Sequence, residues 1–210
     1  MEIFNNTTKV VKDDLVKTIN RGDRISITAA CFSIYAYQEL KKQLESCEEL
    51  LFIFTSPTFV AEKTPKERRE FYIPRLQREK SLYDTEFEVC LRNELKQKAV
   101  AKECADWMLR KVCFKTNTTR EGMNNFLLVD GDEDTYTYMP MNTFTTVDLG
   151  CERGNNLTNM ITRMENPASK EFLNMFDSVW KDEEIIIVKQ GSAISIYGLL
   201  HLFFEGYIVS

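Results

Sequence analysis

The stretch "DRISITAACFSIYAYQELKKQLESCEELLFIFTSPTF", residues 23–59, constrains the fold more than any other. Its ends, "DRISITAACFS" and "ELLFIFTSPTF", are short apolar runs rich in strand-forming side chains, and Thr55-Ser56-Pro57 closes the second. Between them "IYAYQELKKQLESC" puts Tyr37, Leu40 and Leu44 on one face of an amphipathic helix. Strand, helix and strand of these lengths form a βαβ unit, which favours a parallel pair with a right-handed crossover.

Other elements follow from the same periodicities. In "KVVKDDLVKTINRG", residues 9–22, Val10, Val11, Leu15, Val16 and Ile19 recur at helical spacing and Gly22 stops the helix. A long helix is predicted from about Thr85 to Lys111, carrying Phe87, Leu91, Leu95 and Trp107. "VCFKTN", "NNFLLVD" and "YTYMPMNTFTT" read as strands, the last two joined by the hairpin-type turn "GDED". "PASKEFLNMFDSVWKDEE" is a further amphipathic helix, with Pro167 near its start and Phe172, Met175, Phe176 and Val179 on one face. The expected fold class is α/β, with a mixed, mostly parallel sheet flanked by helices. One domain covers residues 1–184, with a basic insert at about 62–84. Residues 185–210 form an apolar tail whose status stays open: a truncated remnant, a shifted reading frame, or a segment packing on the domain or a partner.

Charge is unevenly distributed. Residues 62–120 hold 15 Lys and Arg against 10 Asp and Glu, whereas residues 121–184 hold 4 against 13, a pattern of two faces with different partners or of two solvated helix surfaces. The net charge of −5 argues against coating nucleic acid by bulk charge, while leaving room for a local basic patch. The longest apolar run, "AISIYGLLHLFF" at residues 193–204, is shorter than the roughly 20 residues of a membrane span, so no membrane is expected. The start "MEIFNNTTKVV" shows no secretion signal, and the six cysteines lie far apart with no C-x-x-C pair. Reduced thiols in a cytoplasm are expected rather than a disulfide framework.

No phosphate-cradling G-x-x-x-x-G-K-[ST], no G-x-G-x-x-G and no G-x-S-x-G is present, and no cofactor is expected. The one histidine, His201, lies in the apolar run, where a packed residue outweighs a catalyst. With no ligand-spaced cysteine cluster, no metal site is expected either.

The order of elements, with "RISITAACFSIYAYQELKKQL", "LLFIFTSPTF", "MNNFLLVD" and "MNTFTTVDLG", resembles the phospholipase D-like fold. "REFYIPRLQREKSLYDTEFEVCLRNEL", "AKECADWM" and "TTVDLGCERGNN" make it similar to the phospholipase D-like domain at the N-terminus of certain bacterial Swi/Snf-type (superfamily two) helicases, over roughly residues 5–182. Active members carry H-x-K-(x)4-D and a later polar loop, where the histidine attacks phosphorus and the lysine and loop hold phosphate oxygens. Laid on this chain, the histidine position falls on Met123 and the lysine position on Asn125, while Asp130 is retained. The loop falls on Thr143, Phe144 and Thr145, with Thr143 at the asparagine position. A thioether cannot attack phosphorus and a neutral amide cannot replace an ammonium. The resemblance therefore implies a site with the shape of a phosphodiesterase and none of its chemistry.

It further implies a homodimer, because such folds pair two motif-bearing halves and this chain has one. A helicase-linked domain of this kind would bind DNA without cleaving it. Lys66, Arg68, Arg69, Arg75, Arg78 and Lys80 are the candidate phosphate contacts, and Arg153 and Asn155 of "ERGNN" are candidates near the mouth of the degenerate site. The expected function is a catalytically inactive accessory domain that dimerises and helps place a helicase-related protein on DNA, its motor region or another protein being a further partner. The alternatives are a structural protein-interaction module that binds no nucleic acid, and an active phosphodiesterase or nuclease with an unrecognised nucleophile.

Overall fold

A computed structural model describes residues 1–55, 86–117, 121–153, 160–182 and 186–188. In chain order the elements are β1 (Glu2–Phe4), α1 (Val11–Thr18), β2 (Arg24–Ala29), α2 (Ile34–Ser46), β3 (Glu49–Phe54) and α3 (Glu86–Lys111). There follow β4 (Val112–Thr116), β5 (Phe126–Asp130), β6 (Thr135–Met139), β7 (Ile161–Met164), α4 (Ala168–Lys181) and β8 (Ile186–Val188). The described strands form one sheet in the order β1-β7-β6-β5-β2-β3-β4-β8.

The βαβ unit forms as its sequence predicts. β2 runs parallel to β3 with Ile25 opposite Leu50 and Ile27 opposite Phe52, and α2 makes the crossover. Ser33 caps α2 by accepting a hydrogen bond from the Tyr35 N–H at 3.2 Å. α3 makes the next connection, and β4 lies parallel to β3.

The expectation of a mostly parallel sheet is corrected: among the described strands only the β2/β3 and β3/β4 pairs are parallel, and the other strand pairs are antiparallel. The reason is connection length. A parallel pair needs a crossover long enough to bring the chain back, which α2 and α3 provide. β5 and β6 are joined by only Gly131–Asp134, so they must fold back on each other, and β5 also lies antiparallel on β2.

Alternate side chains of the strands build two cores. Ile25, Ile27, Leu50, Phe52, Phe54, Phe114, Leu127 and Val129 face Leu15 of α1, Tyr37 and Leu44 of α2 and Trp107 of α3. Leu51, Ile53, Phe126 and Leu128 point the other way, under Phe176 of α4 with Phe172 and Trp180 beside it. The sheet is thus flanked by helices on both faces. Phe32, just past the end of β2, lies at the centre of the first core, with ring centroids 5.2 Å from Phe144, 5.8 Å from Phe52 and 6.2 Å from Trp107. That aromatic cluster ties the loop after β6 to the loop after β2, and so sets the geometry of the edge described next.

Candidate functional site

Open α/β sheets place ligand sites beyond the C-terminal ends of their parallel strands. Here that edge is formed by the chain after β2, the start of β5 and the loop after β6. Backbone bonds join them: the Ala30 N–H donates to the Asn142 carbonyl at 3.0 Å, Ser33 to Phe144 at 2.9 Å, and Phe144 back to Cys31 at 2.9 Å. The Met141 N–H donates to the Asn125 carbonyl at 3.0 Å, and Thr28 Oγ1 donates to the Asn124 carbonyl at 2.7 Å. Asn125, Asn142, Thr143 and Cys31 therefore meet at one mouth.

The loop 143–151 is held by its own polar groups. Asp148 Oδ2 accepts from the Thr143 backbone N–H and from Thr143 Oγ1, both at 2.7 Å. Thr145 Oγ1 lies 3.0 Å from Thr143 Oγ1. Behind the loop, Asn6 Nδ2 donates to the Asp148 carbonyl at 2.8 Å, while Asn6 Oδ1 accepts from the Val11 N–H at the start of α1 at 3.0 Å. Lys12 adds a backbone bond to the Leu149 carbonyl at 3.0 Å. Helix α1 is thereby bolted to the back of the loop.

The positions singled out in the sequence are only partly brought together. Asn125 stands at the mouth, its Nδ2 3.4 Å from Asn142 Oδ1 and its own Oδ1 buried without a hydrogen-bond partner. Met123, two residues earlier, is half-buried and packs against the α4-side core. Thr143 and Thr145 line the mouth. Asp130 does not: it ends β5, five residues from Asn125, which at strand rise is about 17 Å away. There it accepts from Thr135 Oγ1 at 3.0 Å and stands opposite Arg24 in register, bracing the hairpin rather than the mouth. Arg153 is exposed at the end of the described loop. Lys66, Arg68, Arg69, Arg75, Arg78, Lys80, Asn155 and His201 lie outside the described residues.

Three groups at the mouth escaped the motif comparison: Cys31, Asn142 and Asp148. A hydroxyl-rich "NTFTTVD" run leading to an aspartate was the available signal, since such side chains close loops by bonding nearby backbone. Cys31 is a poor nucleophile here. Burial pushes its thiol up to about 11, and the Asp148 carboxylate adds to the shift. Cys151 is raised to about 11 as well, by burial and then by Glu39. Among the described residues no three His, Cys, Asp or Glu side chains converge as metal ligands. What the mouth offers is hydrogen bonding from neutral amides and hydroxyls around one carboxylate.

No known protein-family model matches the chain, and no curated protein matches it.

Proposed function

We propose that this chain is a catalytically inactive accessory domain on the phospholipase D-like plan, which dimerises and helps place a helicase-related protein on DNA in a bacterial cytoplasm. The observation that carries the reading is what occupies the two motif positions ahead of β5. At the position where a phosphodiesterase of this plan keeps its histidine, Met123 packs into apolar surroundings, and at the lysine position Asn125 presents an uncharged amide. The mixed α/β sheet with helices on both faces is compatible with that plan. A cysteine with its thiol held protonated does not replace the missing nucleophile.

DNA contact on this reading belongs to the basic stretch at about 62–84, whose charges would neutralise backbone phosphates without reading sequence. The test is fluorescence anisotropy with short single- and double-stranded DNA at two salt concentrations. Salt-sensitive binding with no strand cleavage is expected, and Arg68→Ala with Arg69→Ala should weaken it and flatten its salt dependence. Binding that ignores salt or those substitutions sinks the DNA reading, and turnover of a phosphodiester sinks the claim of inactivity.

A protein-interaction module is favoured by one observation. The β5–β6 hairpin projects exposed Asp132, Glu133 and Asp134 from a segment of strongly acidic balance. Absence of DNA binding at low salt, together with a stable dimer or a defined protein partner, selects that module instead.

A further inference from the structure

Helix α4 lies on the sheet with two unlike flanks. On one, Asp177 pairs with Arg24 at the start of β2. On the other, the Phe172 ring lies 5.4 Å from that of Phe126, which starts β5 and stands across from Thr28 near the far end of β2. Met175 and Val179 recur at helical spacing after Phe172 and extend its flank. That flank is apolar yet incompletely covered: Phe172 and Val179 are half-buried, and Met175 keeps 38% of its surface exposed. The sheet continues the same surface. Phe4, Tyr138 and Ile161 belong to the first core, so their chain neighbours Ile3, Met139 and Thr162 turn to the α4 face, where they lie in one cross-strand row. Met139 and Met123 are half-buried against the α4-side core, and Ile3, 48% exposed, carries the row to β1.

Apolar shelves rich in methionine are surfaces on which amphipathic helices seat, because the unbranched thioether side chain adapts to its partner. Charge decides which kind of helix fits. Glu171 stands four residues before Met175 and Asp182 three after Val179, so the row on α4 is acidic and exposed at both ends. Lys170 and Lys181 fall outside that row by helical spacing. The surrounding segment, residues 121–184, holds 4 Lys and Arg against 13 Asp and Glu. Such a rim repels a second copy of itself and attracts a cationic partner.

We propose that this shelf is a docking surface for a basic amphipathic helix of a protein partner. The apolar face of that helix would seat on Phe172, Met175 and Met139, and its lysines or arginines would meet Glu171 and Asp182. The inference rests neither on DNA binding nor on dimerisation, and it uses a surface apart from the acidic β5–β6 hairpin, which lies at the other end of β5 from Phe126.

The experiment titrates the full chain into a fluorescein-labelled synthetic peptide of about five helical turns, with leucines along one face and lysines on the other, and follows anisotropy. Saturable binding is expected, and it should be lost when the same residues are scrambled or when glutamates replace the lysines. Met175→Lys and Glu171→Lys, both at exposed positions where folding is undisturbed, should each weaken binding by about tenfold or more. Glu133→Lys makes the same charge change at the hairpin and should leave binding as it was. No binding of the helical peptide, equal binding of the scrambled one, or indifference to Met175→Lys overturns the proposal. A loss for Glu133→Lys as large as that for Glu171→Lys also overturns it and assigns the peptide to the hairpin. Sedimentation of the chain alone reads the rival occupant: a dimer that Met175→Lys dissolves gives the shelf to a second copy and overturns the proposal.

Discussion

At Gly150 the mouth loop comes close to the segment that leads into α1, and replacing this glycine with alanine tests how that loop is held. Its φ is +79°, in the left-handed region. A Cβ built there would lie 2.6 Å from Asn6 Oδ1 and 2.9 Å from Val10 Cγ1. Two costs follow. The backbone conformation disfavours an L side chain by about 1–2 kcal/mol. The methyl also forces Asn6 away, and Asn6 both caps α1 through the Val11 N–H and holds the Asp148 carbonyl. Losing the cap costs about 1 kcal/mol, and losing the second bond about another 1 kcal/mol. Gly150→Ala should therefore destabilise the chain by about 3–4 kcal/mol. Gly22 is the built-in control: its φ is +93°, and a Cβ there meets nothing within 4 Å. Gly22→Ala pays only the backbone term, about 1–2 kcal/mol, and the unfolded-chain entropy change is common to both. Urea unfolding followed by tryptophan fluorescence measures the pair. Asn6→Gly completes a double-mutant cycle, since Asn6 itself has φ +51° and glycine accepts that conformation. In that background most of the excess cost of Gly150→Ala should vanish. Equal losses for Gly22→Ala and Gly150→Ala, or an excess unaffected by Asn6→Gly, would refute the proposed lock between α1 and the mouth.

Two further expectations concern the core and the thiols. Trp107 is fully buried and donates from Nε1 to the Leu44 carbonyl at 3.0 Å, an oxygen that also accepts from Cys47 Sγ. Because that acceptor keeps one partner, Trp107→Phe should cost about 1 kcal/mol, whereas Trp107→Ala, which empties the space between Phe32 and Tyr37, should cost about 3–5 kcal/mol in the same urea experiment. For Cys31 and Cys151, thiols raised to about 11 hold less thiolate at neutral pH than an ordinary cysteine, by roughly two orders of magnitude. Iodoacetamide labelling mapped by mass spectrometry should be slow at both sites at pH 7.5 and climb steadily with pH towards 11; fast labelling of Cys31 at neutral pH contradicts the burial assigned to it.

The parts of the fold legible in the sequence are those written in local periodicity. β2, α2 and β3 follow the apolar runs that predict them, and α3 begins at Glu86 and ends at Lys111, where a helix from about Thr85 to Lys111 is expected. α1 stops at Thr18, short of Gly22, because Ile19 is already extended at ψ 113° while remaining buried. The strands β1, β7 and β8 left little trace. β1 and β8 have three residues each, too few to show a period. β7, "ITRM", is anchored by charge as much as by apolar packing. Its Arg163 takes both oxygens of Asp14 at 2.8 Å and reaches Glu2 of β1 and Glu165, a set of partners spread from residue 2 to residue 165. Sheet direction was hidden for a similar reason. The placement of β5 against β2 is a long-range choice, and no short window around either strand encodes it.

The motif positions lie farther apart in the structure than their spacing in the sequence suggests. Met123, Asn125 and Asp130 lie within eight residues of sequence, and a motif written along the chain invites them to be taken as one constellation. A strand denies this. Its rise of about 3.3 Å per residue carries Asp130 about 17 Å from Asn125. Asp130 consequently braces the β5–β6 hairpin through Thr135, and the carboxylate that does stand at the mouth is Asp148. Asp148 lies 23 residues beyond Asn125, delivered by the return of β6 and by the turn that the Phe32 and Phe144 rings fix in place. Asp130 is thus accounted for by hairpin architecture alone. Any test of chemistry or binding at this mouth should begin with Asp148 and Thr143, because a substitution at Asp130 reports on the far end of the strand.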